Sequence, residues 1–325
     1  MYEKSIFVFR RDLRLVDNTG LIQALNNSKY VIPCFIYDEN ILKSKKNSEF
    51  RCNFLNESLV ELDDQLKKKK SSLQIFHGKP EKIINDVIQS NNVDAVFLNT
   101  DFTDYSIKRD DKINKVCKNT KIDFHSTLDY LLHNPNDIKT NDEKPYTIYS
   151  HFYKKARQYT VRKVLKNSKS NFYSNSISKE SIKSPTESVV SGGRNSAIQI
   201  LKNLHNFRNY DKARNYPWMD STTKLSAHNK FGTVSVREVY HAILEKLGKD
   251  HTLMGEIYWR EFFSHILFHF PWAQRKSFKA KFQKIPWSKS EANFEKWCKG
   301  ITGFPIVDAG IRELNGTGFM HNRAR

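Results

Sequence analysis

The feature that most constrains the fold is an alternation of short β-rich segments with amphipathic helical segments near the start of the chain. A leucine every three or four residues from Leu55 to Leu66 marks one helix face, and Pro80 begins a second helix. The β-rich segments are Ser5–Arg10, Val31–Tyr37, Leu73–His77, Ala95–Asn99 and Ile122–Phe124. Single helices between strands predict an α/β domain with a doubly wound parallel sheet.

The turn after the first strand indicates where this domain would bind a ligand. A dinucleotide-binding domain needs Gly-x-Gly-x-x-Gly there, but the turn Arg10–Asn18 reads Arg-Arg-Asp-Leu-Arg-Leu-Val-Asp-Asn. Ligands of such sheets bind beyond the carboxyl ends of the strands. We therefore expect any ligand of this domain to lie at the Arg10–Asn18 turn.

The remainder of the chain divides into an irregular segment and a helical segment. Lys166–Pro185 is rich in Ser, Asn and Lys and is typical of an exposed linker, whereas Tyr146–Tyr159 predicts an aromatic helix across the domain junction. After residue 195 the pattern is helical, so an all-α domain is expected. The predicted division is an α/β domain at 1–128, a linker at 129–195 and a helical domain at 196–325.

Three helices of this last domain have clear sequence boundaries. Ser235 and Glu238 form a capping-box pattern before the helix that starts at Val236. A second helix, dense in aromatic residues, covers Leu253–Phe270. A third begins at Pro305 and is predicted to end at Gly316.

Charge and cysteine usage limit the classes of function. The 325 residues carry 54 Lys and Arg against 35 Asp and Glu, a formal charge of +19. This charge indicates a polyanionic partner such as nucleic acid. The alternative explanation is an AT-rich genome, which favours Lys codons. The four cysteines have no metal-binding spacing, so we expect no metal. No apolar run has the length of a membrane span and the N-terminus is not a secretory signal, so a cytoplasmic location without a membrane partner is expected.

Two segments of the helical domain have the residue types of a binding site. Asp220–Gly232 begins with four hydroxyl side chains and a lysine, which suit a phosphate group, although a simple Ser/Thr turn and helix cap has the same composition. In Gly255–Phe263, the side chains of Glu256, Trp259 and Arg260 share one helix face. The alternative there is a surface Glu256–Arg260 pair over a buried tryptophan.

A third segment, Thr302–Arg325, completes a set of sequence motifs that resembles those of a known family. The motifs are Phe9–Asn18, Thr223–Ser226, Trp259–Phe262, Thr302–Asp308 and Thr317–Arg323. From residue 5 to the last residue the chain resembles the DNA photolyase/cryptochrome family, most closely a class I cyclobutane pyrimidine dimer photolyase. The resemblance implies an antenna domain followed by a helical FAD domain.

The resemblance also implies roles for individual residues. FAD would be held by Tyr210, Thr222, Thr223, Lys224, Leu225, Ser226, Arg260 and Arg325. DNA or its lesion would be contacted by Arg214, Glu256, Trp259, Asn322 and Arg323, of which Glu256, Trp259 and Asn322 would be catalytic. Trp287 would be the outermost electron-transfer tryptophan.

The implied reaction is light-driven repair of cyclobutane pyrimidine dimers in DNA, with the electron supplied by excited reduced FAD. Glu256 favours this reaction, because (6-4) enzymes and animal cryptochromes usually carry Gln at that position. The alternatives are a cryptochrome-like blue-light receptor that binds FAD without repair, and a noncatalytic nucleic-acid or nucleotide-binding protein. We expect a cytoplasmic monomer that associates with the nucleoid through DNA.

Several positions depart from the family pattern. Asn99–Arg109 lacks the Glu expected for folate, which favours a deazaflavin or a flavin over folate as the second, antenna chromophore, or none. Leu253 and Phe319 replace tryptophans, and His228 is predicted to be a loop residue. The family's FAD domain continues for about another hundred residues, so the sequence predicts a chain truncated at its C-terminus that binds FAD weakly.

Overall fold

A parallel sheet with helices on both sides forms the first part of the chain. The computed structural model describes residues 1–44, 48–186 and 188–325. Within them lies one five-stranded parallel sheet in the order β3-β2-β1-β4-β5. The elements are β1 (Tyr2–Phe9), α1 (Thr19–Asn27), β2 (Ser28–Asp38), α2 (Glu39–Leu42), α3 (Glu49–Lys67), β3 (Gln74–Gly78), α4 (Pro80–Asn91), β4 (Ala95–Asn99), α5 (Asp104–Asn119) and β5 (Asp123–Thr127).

Alternation along β1 explains why both faces of the sheet are covered. Phe7 and Phe9 point to the face packed by α1 and α3, where Leu59 is fully buried. Ile6 and Val8 point to the opposite face, which α4 and α5 cover. A strand buried on both sides reads as a continuous apolar run, as SIFVF does. The doubly wound sheet predicted from the sequence is confirmed.

Helices make up the second part, as predicted. They are α6 (Tyr149–Ala156), α7 (Gly193–Lys202), α8 (Tyr210–Ala213), α9 (Leu225–Phe231), α10 (Val236–Lys246), α11 (Thr252–His269), α12 (Glu291–Lys299) and α13 (Pro305–Thr317). Short 3₁₀ turns lie at Leu204–Phe207, Pro217–Met219, Pro271–Gln274 and Ala280–Phe282. One apolar core joins α6, α7, α10 and α11.

Helix boundaries in this part follow the predicted capping signals, with one correction. Both hydrogen bonds of the capping box between Ser235 and Glu238 are present at the start of α10. The end of α13 predicted at Gly316 is wrong, because the helix continues to Thr317. Gly318, with φ 72°, adopts the left-handed conformation that ends a helix.

The segment predicted as an exposed linker packs partly against the sheet. Because β3 pairs with β2 only from Cys34 onward, Val31 has free backbone groups on that side. The Val31 N–H donates to Asn171 O at 3.0 Å, and the Tyr173 N–H donates to Val31 O at 2.8 Å. Phe172 is buried in the sheet core. The aromatic helix predicted at the domain junction is α6, which instead packs on α11.

A buried cluster of four charged residues, Arg14, Asp17, Asp129 and Arg237, joins the two parts, and we call it the buried junction. Arg237 donates to Asp17 Oδ2 at 2.7 Å and to Asp129 Oδ1 at 3.0 Å, and Arg14 also pairs with Asp129. Burial alone would raise the pKa of Asp129, but Arg14 and Arg237 hold it at about 2. The junction ties α10 to the loops that follow β1 and β5.

Two features that the described residues lack bear on the classes of function. No helix there is long and apolar enough to span a bilayer. The same residues contain no group of three or more His, Cys, Asp or Glu side chains arranged to hold a metal ion.

Candidate functional site

The main candidate site is a cavity of about 470 Å³ in the helical part, which we call the helical cavity. Its volume lies within the ~300–1,000 Å³ typical of small-molecule sites. Segment 222–226, helices α10 and α11 and the last residues of the chain form its walls. The sequence-predicted residues that line it are Tyr210, Thr222, Thr223, Lys224, Leu225, Ser226, Glu256, Arg260, Asn322 and Arg325.

The hydroxyl-rich segment before α9 does little to cap that helix. Lys224, at the N-cap position, adopts a left-handed conformation with φ 51° and makes no capping hydrogen bond, and the Leu225 N–H donates to Thr223 Oγ1 only at a long 3.4 Å. Among the described residues, none gives a hydrogen bond to the buried Thr222 Oγ1. Buried hydroxyls are normally satisfied, so this one indicates a missing partner. The alternative of a simple turn and cap is therefore disfavoured.

Charge in the helical cavity favours an anionic ligand. Five cationic side chains line it, and Glu256 is the one carboxylate among the lining residues described. Lys224 is held by Asp220, with Nζ 2.8 Å from Oδ2. The cations are Arg11, Lys224, Lys230, Arg260 and Arg325. Backbone and hydroxyl donors beside several cations are the chemistry that binds a phosphate or pyrophosphate.

Part of the lining of the helical cavity is apolar. It consists of Leu225, Val239, Ile243, Leu253, Ile257, Phe319 and Met320. Leu253 and Phe319, the two positions where the chain departs from tryptophan, both belong to this part and keep it apolar. Phosphate-binding groups and apolar surface in one cavity suit a molecule with a phosphate group and a flat ring system.

Glu256 pairs with Arg214 rather than with Arg260. The Arg214 guanidinium donates to Glu256 Oε1, and Arg214 lies 5.6 Å from the Tyr210 ring centroid. Arg260 instead donates to Glu261 Oε1 at 3.2 Å. The alternative of a surface Glu256–Arg260 pair is therefore wrong. Glu256 remains half-buried at the cavity wall, where its carboxylate can meet a bound molecule.

Trp259 lies one helical turn from Glu256 but lines a different depression. This depression, of about 860 Å³, has walls from Tyr149, Phe262, Phe263 and Phe278, and we call it the aromatic groove. The ring of Trp259 stacks on Tyr149 with centroids 3.5 Å apart and planes 7° apart. Because Trp259 is still 38% exposed, part of the indole remains accessible.

Other predicted residues lie outside the helical cavity. Arg214 and Arg323 are not among its described lining residues, although Arg323 is nearby and donates to Asn215 Oδ1 at 2.9 and 2.7 Å. Trp287 is 76% exposed, between the last 3₁₀ turn and α12. His228, predicted in a loop, is instead buried in α9, and burial lowers its pKa to about 4.

Sequence reasoning missed three residues that line the helical cavity. Arg11 and Tyr130 come from the loops after β1 and β5, and Lys230 comes from α9. They meet because Gly232 has no side chain: a Cβ there would lie 2.1 Å from Arg11 O. The two arginines of the Arg10–Arg11 turn were the sequence signal that could have identified this contribution. The sequence pattern, however, assigned that turn only to a ligand of the first domain.

The protonation of two groups near the helical cavity is shifted by their surroundings. Burial lowers the pKa of Lys230 to about 8, and the positive charge of Arg11 adds to the shift. Burial raises the pKa of Glu261 to about 7, although Arg260 and two backbone N–H groups oppose the shift. Lys230 is still mostly charged at neutral pH and can attract an anion.

A second cavity, of about 530 Å³, lies at the carboxyl ends of the strands, and we call it the sheet-edge cavity. Its lining includes the predicted Arg10 and Arg11, together with Tyr37 and Arg109. Burial alone would raise the pKa of Asp101, but Arg11 holds it at about 2. Rings and guanidinium groups together suit a planar anionic molecule. This location agrees with the site expected from the Arg10–Asn18 turn.

The fold and the two cavities define a class: a two-part protein in which a parallel sheet precedes a helical cofactor domain. The sequence profile of DNA photolyase matches residues 5–169, and that of the FAD binding domain of DNA photolyase matches residues 253–325. The chain belongs to the DNA photolyase/cryptochrome family. The unpartnered Thr222 hydroxyl, the cations and the apolar part of the lining of the helical cavity fit FAD.

Relatives of this chain include repair enzymes and photoreceptors. A deoxyribodipyrimidine photo-lyase of Synechococcus sp. is 30% identical, over 98% of this chain and 71% of that protein. Cryptochrome-2 of Arabidopsis thaliana is 28% identical, over 100% of this chain and 58% of that protein. The structure of an archaeal photolyase from Sulfolobus tokodaii with two FAD molecules is 35% identical with a TM-score of 0.86, covering 99% of this chain and 73% of that one.

Proposed function

We propose that this protein repairs cyclobutane pyrimidine dimers in DNA by using light. The observation that carries the proposal is Glu256, a carboxylate at the wall of the helical cavity one turn before Trp259. A carboxyl group there can hydrogen-bond a base of the lesion and stabilise negative charge that develops on it. The resemblance to photolyases with a glutamate at this position supports the same assignment.

FAD is the cofactor of the proposed reaction. When bound in its reduced form, it supplies the photoexcited electron that splits the dimer. Thr222, Thr223 and Lys224 would hold its phosphate groups, because they combine hydroxyl donors with an ammonium group at one wall. Leu253 and Ile257, in the apolar part of the lining, would exclude water from its ring system.

DNA is the proposed partner, and Trp259 the proposed stacking platform for a flipped base. A base stacked on an aromatic side chain contributes ~1–3 kcal/mol, which suits an exposed indole beside the cavity. Arg214, Arg323 and the net charge of +19 support phosphate binding. Affinity for DNA should therefore fall about tenfold or more between low and moderate salt. The class I assignment, the monomeric state and the cytoplasmic location remain predictions.

A second planar chromophore is proposed for the sheet-edge cavity. Its arginines and aromatic rings suit a planar anionic chromophore, and the absence of the expected Glu from Asn99–Arg109 supports a flavin or a deazaflavin rather than folate. The Sulfolobus tokodaii photolyase, whose structure holds two FAD molecules, is described as implying a novel light-harvesting cofactor, which supports the same choice here. An absorption spectrum of the purified protein, followed by extraction and chromatography of its chromophores, tests this assignment.

Blue-light reception without repair is the second candidate function, favoured by the similarity to Cryptochrome-2. Glu256→Gln separates the two. If the protein repairs dimers, this variant keeps FAD but loses several-fold in dimers repaired per absorbed photon, because the acid is removed while the shape is kept. Glu245→Gln, an exposed glutamate on α10, is the matched control and should repair normally. Wild-type protein that binds FAD but repairs no dimers would favour the photoreceptor.

A further inference from the structure

Tyr149, the first residue of α6, makes two contacts with the turn of α11 that carries Trp259. Its ring lies 3.5 Å from the Trp259 ring between centroids, with the planes 7° apart. Its hydroxyl donates to Gly255 O at 2.9 Å. In an α-helix that carbonyl also accepts the backbone N–H four residues later, which is the N–H of Trp259. One side chain therefore holds both the ring and the backbone of Trp259.

We propose that Tyr149 is a positioning residue that fixes the Trp259 indole in the orientation needed to stack on a damaged base. The proposal deepens the proposed function and rests on it. A ring already held in its binding orientation loses less conformational entropy when a base stacks on it. Tyr149 therefore acts through Trp259 and sets the preference for damaged over undamaged DNA.

The surroundings of Tyr149 keep it in place for this role. Tyr153, one turn further along α6, stacks behind it with centroids 5.5 Å apart, and Phe262 meets its edge at 5.8 Å. Burial raises the pKa of Tyr149, and Tyr153 and Glu256 raise it further, so the hydroxyl stays protonated and remains a donor. Phe263 also stacks beside Trp259 with centroids 5.7 Å apart, and Phe262 meets its edge at 6.0 Å, yet the indole remains 38% exposed.

Two variants separate the contacts. Tyr149→Leu removes both the stacked ring and the hydroxyl, and should lower the preference for dimer-containing over undamaged DNA by about three- to tenfold, the range expected for an aromatic pair. Tyr149→Phe keeps the ring and should restore most of the preference. Tyr240→Leu is the matched control, because it removes a half-buried tyrosine from the same apolar core, and the ring contacts of Tyr240 are with His241 and Tyr258 rather than with Tyr149 or Trp259. FAD content and melting temperature are measured for every variant.

A double-mutant cycle tests whether the effect passes through Trp259. If it does, adding Tyr149→Leu to Trp259→Ala changes the preference no further. Additive losses, or an equal loss in Tyr240→Leu, would overturn the proposal. Should Tyr149→Leu fail to fold, Tyr149→Met, whose unbranched and flexible side chain adapts better to an irregular space, takes its place in each comparison.

A direct measurement keeps this test independent of repair. In protein labelled with 5-fluorotryptophan, the ¹⁹F signal of Trp259, assigned with Trp259→Phe, should shift and sharpen in Tyr149→Leu as the ring becomes mobile. An unchanged signal means that Tyr149 does not position the ring. If the signal changes but wild-type protein shows no preference for dimers, the proposed function fails and the positioning role stands.

Discussion

The buried junction and the helical cavity use similar polar residues but differ in where polar atoms lack a partner among the described residues. Arg14 Nε of the junction is one such atom, and Arg14 lines neither of the two cavities. In the buried junction, all four carboxylate oxygens of Asp17 and Asp129 accept hydrogen bonds, from Arg14, Arg237, Arg162, Thr19 and the Leu165 N–H. At the helical cavity, buried Thr222 Oγ1 and Asn229 Oδ1 have no partner among the described residues.

This difference separates polar groups that hold the fold together from polar groups that await a ligand. A buried polar atom without a partner costs about 1–3 kcal/mol, so folded proteins keep few of them. Where such atoms border a cavity that also contains cations, a bound anion can supply the missing partners. The buried junction, in contrast, has no unmet carboxylate for a ligand to satisfy.

The largest effect is expected from Asp129→Asn in the buried junction. The variant leaves Arg14 and Arg237 buried without their shared negative charge, and removing one partner of a buried ion pair costs about 3–5 kcal/mol. Urea denaturation should show a loss of this size, or no folded protein. Asp142→Asn, at an exposed position, should denature as the wild type does. Equal stability of both variants would show that the junction does not hold the two parts together.

An effect of intermediate size on stability is expected from the ionisation of Glu261. This residue is as buried as Asp129 of the buried junction, but its pKa shifts in the opposite direction. Burial raises the pKa of Glu261 from 4.5 to about 7, whereas two arginines hold that of Asp129 at about 2. The folded protein therefore keeps a proton on Glu261 between pH 4.5 and 7 that the unfolded chain releases. This group's contribution to stability is present below pH 4.5 and is lost as the pH rises to 7.

The expected loss is about 3 kcal/mol across that window, since one pKa unit corresponds to ~1.4 kcal/mol. Urea denaturation at pH 5, 6, 7 and 8 measures it as the difference between wild type and Glu261→Gln, which cannot ionise. Subtracting the variant cancels His133, His228 and His265, whose pKa values burial lowers to about 4. A difference that does not vary with pH would mean that Glu261 is ionised throughout.

Sequence patterns predicted the sheet and most helices because those signals are local. The apolar run in Ser5–Arg10 and the capping box at Ser235 each depend on residues within one secondary-structure element. The buried junction could not be predicted, because Arg237 meets Asp17 from 220 positions away and many charged residues could pair. The packing of Phe172 was also missed, since one apolar residue in a Ser/Asn-rich segment gives no periodic signal.

For the helical cavity, the sequence predicted one side and missed the other. Segment 222–226 and Arg260 carry recognisable residue types, and the structure places them on one cavity. Arg11 and Tyr130 reach that cavity only because the two parts approach closely at Gly232. Such an approach depends on how two domains dock, which no local pattern encodes. Trp259 and Glu256, adjacent on a helical wheel, line separate depressions, because Tyr149 of α6 stacks on Trp259 whereas Arg214 pairs with Glu256.

The smallest effects are expected from the threonine-to-valine substitution at two positions near α9, Thr233 and Thr222. Thr233 Oγ1 is bonded to His228 Nδ1 at 2.9 Å, whereas Thr222 Oγ1 is buried without a partner among the described residues. Thr233→Val should lower the free energy of unfolding by about 1 kcal/mol and leave FAD affinity unchanged. Thr222→Val removes a buried polar atom without a partner, so it should not destabilise the FAD-free protein, and it should weaken FAD binding by about fivefold, the equivalent of one lost hydrogen bond. Urea denaturation and flavin fluorescence titration measure the two quantities. If Thr222→Val instead destabilised the FAD-free protein and spared FAD binding, its hydroxyl would serve the fold, and an unpartnered buried atom at the cavity would no longer indicate a ligand.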